Sequence, residues 1–311
     1  MSNDALSQIL GALRMQGTVY FQTYFTPPWG VFVPEYKNVA RFHMAMRGQC
    51  WVRIDGEPEP IHMSAGDLVA IPHGRAHIMS DAPDREAVLV DEVVSRSGYT
   101  GSGALVYGGR PSGPATQLFS GHFEFDDNVM HPLLSALPRY IHIPNTETMN
   151  AEWLDAVMRF VTAEVMGAKP GAEAIVHRLT EIIFIQVVRA FVDKTGDAAG
   201  CLAGVLDPQL NKALAAMHSA PEKPWTVDAI AVEAGMSRTK FAERFRTLIG
   251  LTPLVYLTRW RMQLARRQLI ESDRPLIEIA ETAGYRSESA FAHAFKRHFS
   301  VAPGRLRRQR D

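Results

Sequence analysis

The chain has little of what would mark a secreted, membrane-borne or zinc-knuckled protein. It has only two cysteines, Cys50 and Cys201, far apart and without CxxC or Cys/His spacing. That excludes a disulfide framework and a zinc finger. No run of about eighteen apolar residues suggests a membrane span. The opening MSNDALSQIL lacks the basic-then-apolar pattern of a signal peptide, so the expected compartment is the cytoplasm, with no membrane partner. Net charge is also missing, since 33 Lys and Arg balance 33 Asp and Glu. What is present is 311 residues of 46% hydrophobic content, more comfortable as two or three domains than as one.

The zero balance hides an asymmetry. Residues 207–311 hold 18 Lys/Arg against 11 Asp/Glu, whereas the rest of the chain holds 15 against 22. Positive charge gathered in one domain suits a polyanion, because neutralised phosphates release counterions. Surface charge can also serve solubility alone.

Composition divides the chain further. Residues 4–14 read as a short amphipathic helix, and 18–110 as strands broken by Pro27-Pro28, Asp55-Gly56 and Gly108-Gly109. Strand-like segments near 40–46, 50–54, 68–72, 87–94 and 117–125 suit a sandwich or barrel better than βαβ units. From about 151 the period turns helical, predicting helices over 151–166 and 173–193. The expected architecture is α+β and multidomain: a β domain over 1–145, a helical dimerisation region over 146–195, a flexible linker over 196–206 and an all-α domain over 207–311.

That last domain repeats itself. Ile230, Ala231, Ala234, Gly235, Ser237, Phe241, Phe245, Thr252 and Pro253 recur as Ile279, Ala280, Ala283, Gly284, Ser287, Phe291, Phe295, Ala302 and Pro303, with one extra residue in the second turn. The spacing predicts two helix-turn-helix units, about 226–249 and 275–298, joined by a helix over 253–270 that spans about 27 Å. Asp207, Ser237, Thr252 and Ser287 stand where helix N-caps are expected. The phenylalanines at i and i+4 face the core, and Leu257, Trp260 and Leu264 are expected to pack the joining helix on both copies.

In such a motif the second helix enters the major groove by its N-terminal residues. The face opposite the phenylalanines carries Arg238, Thr239 and Glu243 in the first copy, and Glu288, Ser289 and His293 in the second. These are candidate base readers. Lys240, Arg244, Arg246, Lys296 and Arg297 are candidate phosphate contacts, and Arg286 and Ser287 complete the DNA-facing set. The competing reading is a plain helical bundle with a solvated basic surface, which explains the phenylalanines but not two capped turns.

The stretch WTVDAIAVEAGMSRTKFAERFRTLIGLTPLVYLTRWRMQLARRQL, with PLIEIAETAGYRSESAFAHAFKRHFSVAPGRLR, resembles the AraC/XylS family of bacterial transcriptional regulators. The resemblance covers about a third of the chain and implies two helix-turn-helix subdomains on promoter DNA. Two departures stand out: Ser300 replaces the usual glycine, and Leu306 the usual tyrosine before Arg307.

In the β domain, Gly66, Asp67, Pro72, Gly74, His77 and Asp81 lie in GDLVAIPHGRAHIMSD, which resembles the second motif of the cupin fold. The first cupin motif would supply two histidines and a glutamate. Here the glutamate position holds Arg41, and the histidine positions fall on Pro34 and Tyr36, or Glu35 and Lys37. By strand alternation His43 shares an inward face with Arg41 and can meet His77 across the barrel. Three readings stay open for His43 and His77: hydrogen-bonded interior residues, polar anchors of an effector pocket with Arg41, or part of a divalent metal site completed by His62 or Cys50. Arg41 suits an anionic ligand or an internal carboxylate.

The leading expectation is a ligand-responsive regulator that binds double-stranded promoter DNA as a homodimer, takes a small-molecule effector in the barrel, and has RNA polymerase as a further candidate partner. The alternatives are a metal-dependent cupin enzyme, dioxygenase or isomerase, with a DNA-binding tail, and a constitutive DNA-binding protein whose β domain only dimerises.

Overall fold

The computed structural model describes residues 4–12, 15–101, 103–109, 114–125, 132–145, 170–194 and 200–308, with 152, 153, 156, 157, 159–161, 163 and 164. Two compact units emerge. One takes residues 15–127 and 137–195; the other takes 196–311 together with 1–14 and 128–136.

The first unit is built on two sheets. Its strands are β1 (Met15–Thr26), β2 (Gly30–Val33), β3 (Val39–Arg47), β4 (Gln49–Ile54), β5 (Ile61–Ser64), β6 (Leu68–Ile71), β7 (His77–Ser80), β8 (Val88–Leu89), β9 (Ala104–Gly108), β10 (Thr116–Phe125) and β11 (Ile141–Ile143). One sheet runs β11-β6-β3-β10-β1-β9 and the other β5-β4-β7-β2-β8. Alternation is clearest on β5, where Ile61 and Met63 are buried and His62 and Ser64 exposed. β3 lies between β6 and β10, and Ala40 through Ala45 are buried without alternation, as expected of a strand covered on both faces. The core between the sheets includes Phe25, Trp29, Val52, Met63, Ile71 and Leu118.

The segment expected as a strand over 87–94 pairs only at Val88 and Leu89, then becomes helix α2 (Val90–Ser97). The reason is legible in hindsight: Val90, Val93 and Val94 fall at i, i+3 and i+4, one apolar helical stripe. Gly74 holds another local feature. Its φ is +60°, and a Cβ there would meet Tyr36 O at 2.2 Å, so only glycine lets the β6–β7 loop close against the β2–β3 loop. The long helix expected over 173–193 forms at Ala172–Lys194, here labelled α4, and its Phe184 packs on Phe123 and Phe125 of β10. Within 151–166, the described residues that carry a secondary structure are helical.

The second unit contains α1 (Ala5–Ala12), α3 (Pro132–Ser135), α5 (Cys201–Leu206), α6 (Pro208–Ser219), α7 (Val227–Glu233), α8 (Arg238–Ile249), α9 (Pro253–Glu271), α10 (Leu276–Thr282), α11 (Glu288–Phe299) and α12 (Pro303–Arg308). Two expectations need correction here. The stretch 196–206 is not all flexible linker: α5 buries Cys201, Leu202, Gly204 and Val205, and a Cβ on Gly204 would lie 2.4 Å from Ile249 Cδ1. Small residues, read as linker composition, are instead what allow close helix packing. The 4–14 helix groups with this unit rather than with the β domain, through buried Ala5, Ile9 and Leu10 and a Gln8 Nε2 bond to Ser219 Oγ at 2.9 Å.

The repeat is reproduced in hydrogen bonds. Met236 N donates to Ala231 O and Tyr285 N to Ala280 O, each just after a left-handed glycine, Gly235 at +63° and Gly284 at +75°. Four residues separate α7 from α8 and five separate α10 from α11. The joining helix serves both copies, with Leu257 and Trp260 buried as expected and further residues added. Tyr256 packs on Phe245 at 5.6 Å between centroids, whereas Met262, Ala265 and Leu269 enter the core of the second copy. Leu264 is only half-buried.

Candidate nucleic-acid interface and effector cavity

Burying one stripe of each recognition helix leaves the opposite stripe in solvent. Phe241, Phe245 and Ile249 are buried on α8, and Phe291, Phe295 and Phe299 on α11. Arg238, Thr239, Lys240, Glu243 and Arg246 are exposed on α8, as are Glu288, Ser289, His293, Lys296 and Arg297 on α11, with Arg286 and Ser287 at its entry. Arg238 lies 3.5 Å from Asp228, but both side chains are about two-thirds exposed, so a phosphate or base can displace so weak a pair. His293 donates from Nδ1 to Ser289 O at 2.9 Å, which leaves Nε2 of the neutral ring as an acceptor.

Arg244 departs from this set. Its Nε donates to Asp207 Oδ2 at 3.0 Å and its guanidinium pairs with the same carboxylate. Asp207 also caps α6, accepting from Gln209 N and Leu210 N. Burial alone would raise the Asp207 pKa, but the bonds from Leu210, Arg244 and Gln209 outweigh it and hold the carboxyl below its ordinary value. Arg244 is thus tied to the unit's own framework, which sets it apart from the other basic residues of α8. The caps also divide. Asp207 and Ser287 make their bonds, Thr226 caps α7, and Ser237 and Thr252 take cap backbone geometry without a side-chain bond.

Within the β unit a cavity of about 300 Å³ opens between the sheets, lined in part by Phe25, Val31, Met79, Val93, Leu105, Arg41, His43 and Ser120. Arg41 and His43 come from β3, two residues apart, and Ser120 stands opposite His43 on β10. The Arg41 guanidinium lies over the Tyr36 ring at 4.5 Å. His43 Nδ1 is 2.9 Å from Ser120 Oγ, and His43 Nε2 is 2.9 Å from His77 Nε2. His77 Nδ1 donates to Arg75 O at 2.9 Å. Burial, reinforced by the charge of Arg41, depresses both imidazoles; His43 falls well below its ordinary value and His77 to about 4.

Of the three expected pocket residues, then, Arg41 and His43 line the cavity. His77 is bonded to His43 from the other side and borders a separate groove with Phe32, Arg53 and Asp55. The α2 valines and Ser120 were not singled out from sequence; the valine spacing could have signalled the former, while the latter needed the β3–β10 register.

Cupins often hold a divalent metal, which needs three or more protein ligands. The donors here do not fit one. Among the described residues no third His, Cys, Asp or Glu completes a group with His43 and His77. His62 is exposed and stacks on Trp51 at 4.7 Å, on the outward face of β5. Cys50 sits in the core, its thiol pushed up to about 12 by burial and then by the Asp67 charge. Both imidazoles also spend their second nitrogens on Ser120 and Arg75.

A cavity-bearing β domain and a basic unit presenting two unlike recognition helices define the class: a helix-turn-helix transcription regulator with a cupin domain. Residues 4–193 match the family described as Cupin, and residues 230–309 the family described as Helix-turn-helix domain. The chain is 34% identical over 309 residues to the HTH-type transcriptional regulator AlkR of Acinetobacter baylyi, covering 98% of this chain and 99% of that protein. It is 31% identical to an AraC-like transcription regulator of Streptomyces lividans, covering 98% of each. Among solved structures it resembles the DNA-binding domain of AdpA in complex with a target DNA, at 34% identity over 33% of this chain and 92% of that one, with a TM-score of 0.31. The chain belongs to the AraC-like HTH-type transcriptional regulators, and its C-terminal domain binds DNA. Among the described residues no helix is long and apolar enough to cross a membrane.

Proposed function

We propose that the protein is a ligand-responsive regulator that binds promoter DNA in the cytoplasm, has no enzymatic activity, and reads an asymmetric two-box half-site with one chain. The observation that carries this reading is the pairing of a largely apolar cavity, lined in part by Arg41, His43 and Ser120, with two unlike recognition faces in one chain. α9, with 19 residues, measures about 28 Å, close to the roughly 34 Å between successive major-groove faces. Arg238, Thr239, Glu243, Glu288, Ser289 and His293 read bases; Lys240, Arg246, Arg286, Lys296 and Arg297 hold phosphates, and Ser287 caps α11. Ile175 and Ile182, 44% exposed on the α4 face turned away from Phe184, offer a surface for a second copy. RNA polymerase is the natural further partner of such a regulator.

The test is binding of the full-length protein to DNA flanking its own gene, with and without candidate metabolites. Arg238→Ala or Ser289→Ala relaxes sequence preference, while Lys240→Ala or Arg297→Ala chiefly reduces the salt slope. Equal effects of all four on specific and random DNA would refute the assignment. An affinity that no small molecule changes would favour a constitutive DNA-binding protein.

A further inference from the structure

The polar end of the cavity has a hydrogen-bond polarity that can be worked out atom by atom. The chain of bonds starts at a backbone carbonyl, Arg75 O, which can only accept, so His77 Nδ1 carries a proton. A neutral His77 then has a bare Nε2. The His43 Nε2 atom 2.9 Å away must supply the proton of that bond, which leaves His43 Nδ1 bare. That nitrogen, 2.9 Å from Ser120 Oγ, accepts the serine proton. Two imidazolium rings cannot face each other at this distance, and burial keeps both rings neutral near pH 7.

The consequence falls on the cavity. His43 has no nitrogen left for a ligand, and the Thr23 hydroxyl is occupied by the backbone of Leu118. Ser120 has spent its only proton, so it presents lone pairs alone. Arg41 has five N–H donors and no acceptor, and its charge is one cause of the depressed His43, His77 and His122 titrations. Apart from the exposed Asp91 and Tyr36 the rest of the lining is apolar, and about 300 Å³ holds about ten non-hydrogen atoms at about 30 Å³ each.

We propose that the cavity selects a medium-chain hydroxycarboxylate, whose carboxylate accepts from Arg41 and whose hydroxyl, close to that carboxylate, donates to Ser120 Oγ. Ser120 is the specificity-determining residue: an unsubstituted carboxylate leaves its lone pairs unmet in a dry site, which costs affinity. The inference rests on reading the cavity as the effector site.

Calorimetric titration of the full-length protein at pH 7.5 with 3-hydroxyoctanoate, octanoate and octan-1-ol tests it. The expected order is 3-hydroxyoctanoate about tenfold tighter than octanoate, with octan-1-ol weakest. Ser120→Ala brings the two acids within about twofold of each other without weakening octanoate, and Ser120→Thr restores the preference. Equal binding of the two acids to the unmodified protein overturns the hydroxyl rule and leaves the effector site standing. A preference that survives Ser120→Ala overturns the assignment to Ser120. Failure of all three probes to bind at millimolar concentration removes the effector-site reading itself, and this inference with it.

Discussion

Arg244, expected on a phosphate and paired with Asp207 in the structure, separates two readings that differ in a measurable slope. If Arg244 touched a phosphate, Arg244→Ala would lower the salt dependence of DNA binding by about 0.9 in log–log slope. Held by Asp207, it leaves that slope unchanged and costs stability instead. The Arg244 side chain is 43% exposed, so the pair is worth about 0.5 kcal/mol once solvent screening is allowed for. The cap that Asp207 places on α6 is worth about 1 kcal/mol more. Asp207→Ala should therefore cost about 1.5 kcal/mol, lowering Tm by about 3–6 °C for a unit of this size. Asp207→Asn keeps the cap, loses the ion pair, and should cost only about 0.5 kcal/mol. The assay is a thermal melt of the intact protein, followed through the transition that abolishes DNA binding, beside binding isotherms at several salt concentrations. The depressed Asp207 pKa sets the pH window: the contribution is complete above the unfolded value near 4 and is lost as pH falls through the folded value below it. Wild type and Asp207→Ala should thus converge in strong acid. A loss of about one unit of salt slope in Arg244→Ala, with Tm unchanged, would refute the reasoning.

Three further outcomes follow from single positions. Ser300 ends α11 in the left-handed region at φ +59°, where its repeat counterpart Gly250 has +78°, so Ser300→Gly should stabilise by about 0.5–1 kcal/mol and Gly250→Ser should destabilise, both read as Tm. Burial pushes the thiols of Cys50 and Cys201 up to about 12, so neither should react with an aromatic disulfide reagent at pH 8 in the native protein, and both should in guanidinium. Because α5 packs on α8, a fragment beginning at residue 200 should bind DNA and melt higher than one beginning at 207, which keeps Asp207; equal melting would mean that α5 contributes nothing.

The parts of the molecule that were readable are those whose signal is local and periodic. The i, i+4 phenylalanines marked the buried faces of α8 and α11, and Gly235 and Gly284 marked the turns, because left-handed backbone and helix amphipathicity are written within a few residues. The errors arose where composition is ambiguous. A valine-rich run suits strand or helix, and α2 is decided by spacing; small residues suit a linker or a tight helix contact, and Gly204 against Ile249 decides for contact. Ser237 and Ser287 look alike in sequence, yet only Ser287 makes its capping bond.

The amino-acid sequence by itself determined the class of this protein, its duplicated DNA-binding unit and the exposed faces that differ between the copies, since each depends on neighbours in the chain. Tertiary structure alone decided which charges are spent internally, as Arg244 is on Asp207, and which polar groups converge. The bond chain from Arg75 through His77 and His43 to Ser120 joins residues 34 and 77 positions apart. Strand register sets Ser120 opposite His43, the facing of the two sheets brings His77 to His43, and no local pattern encodes the direction in which their protons point.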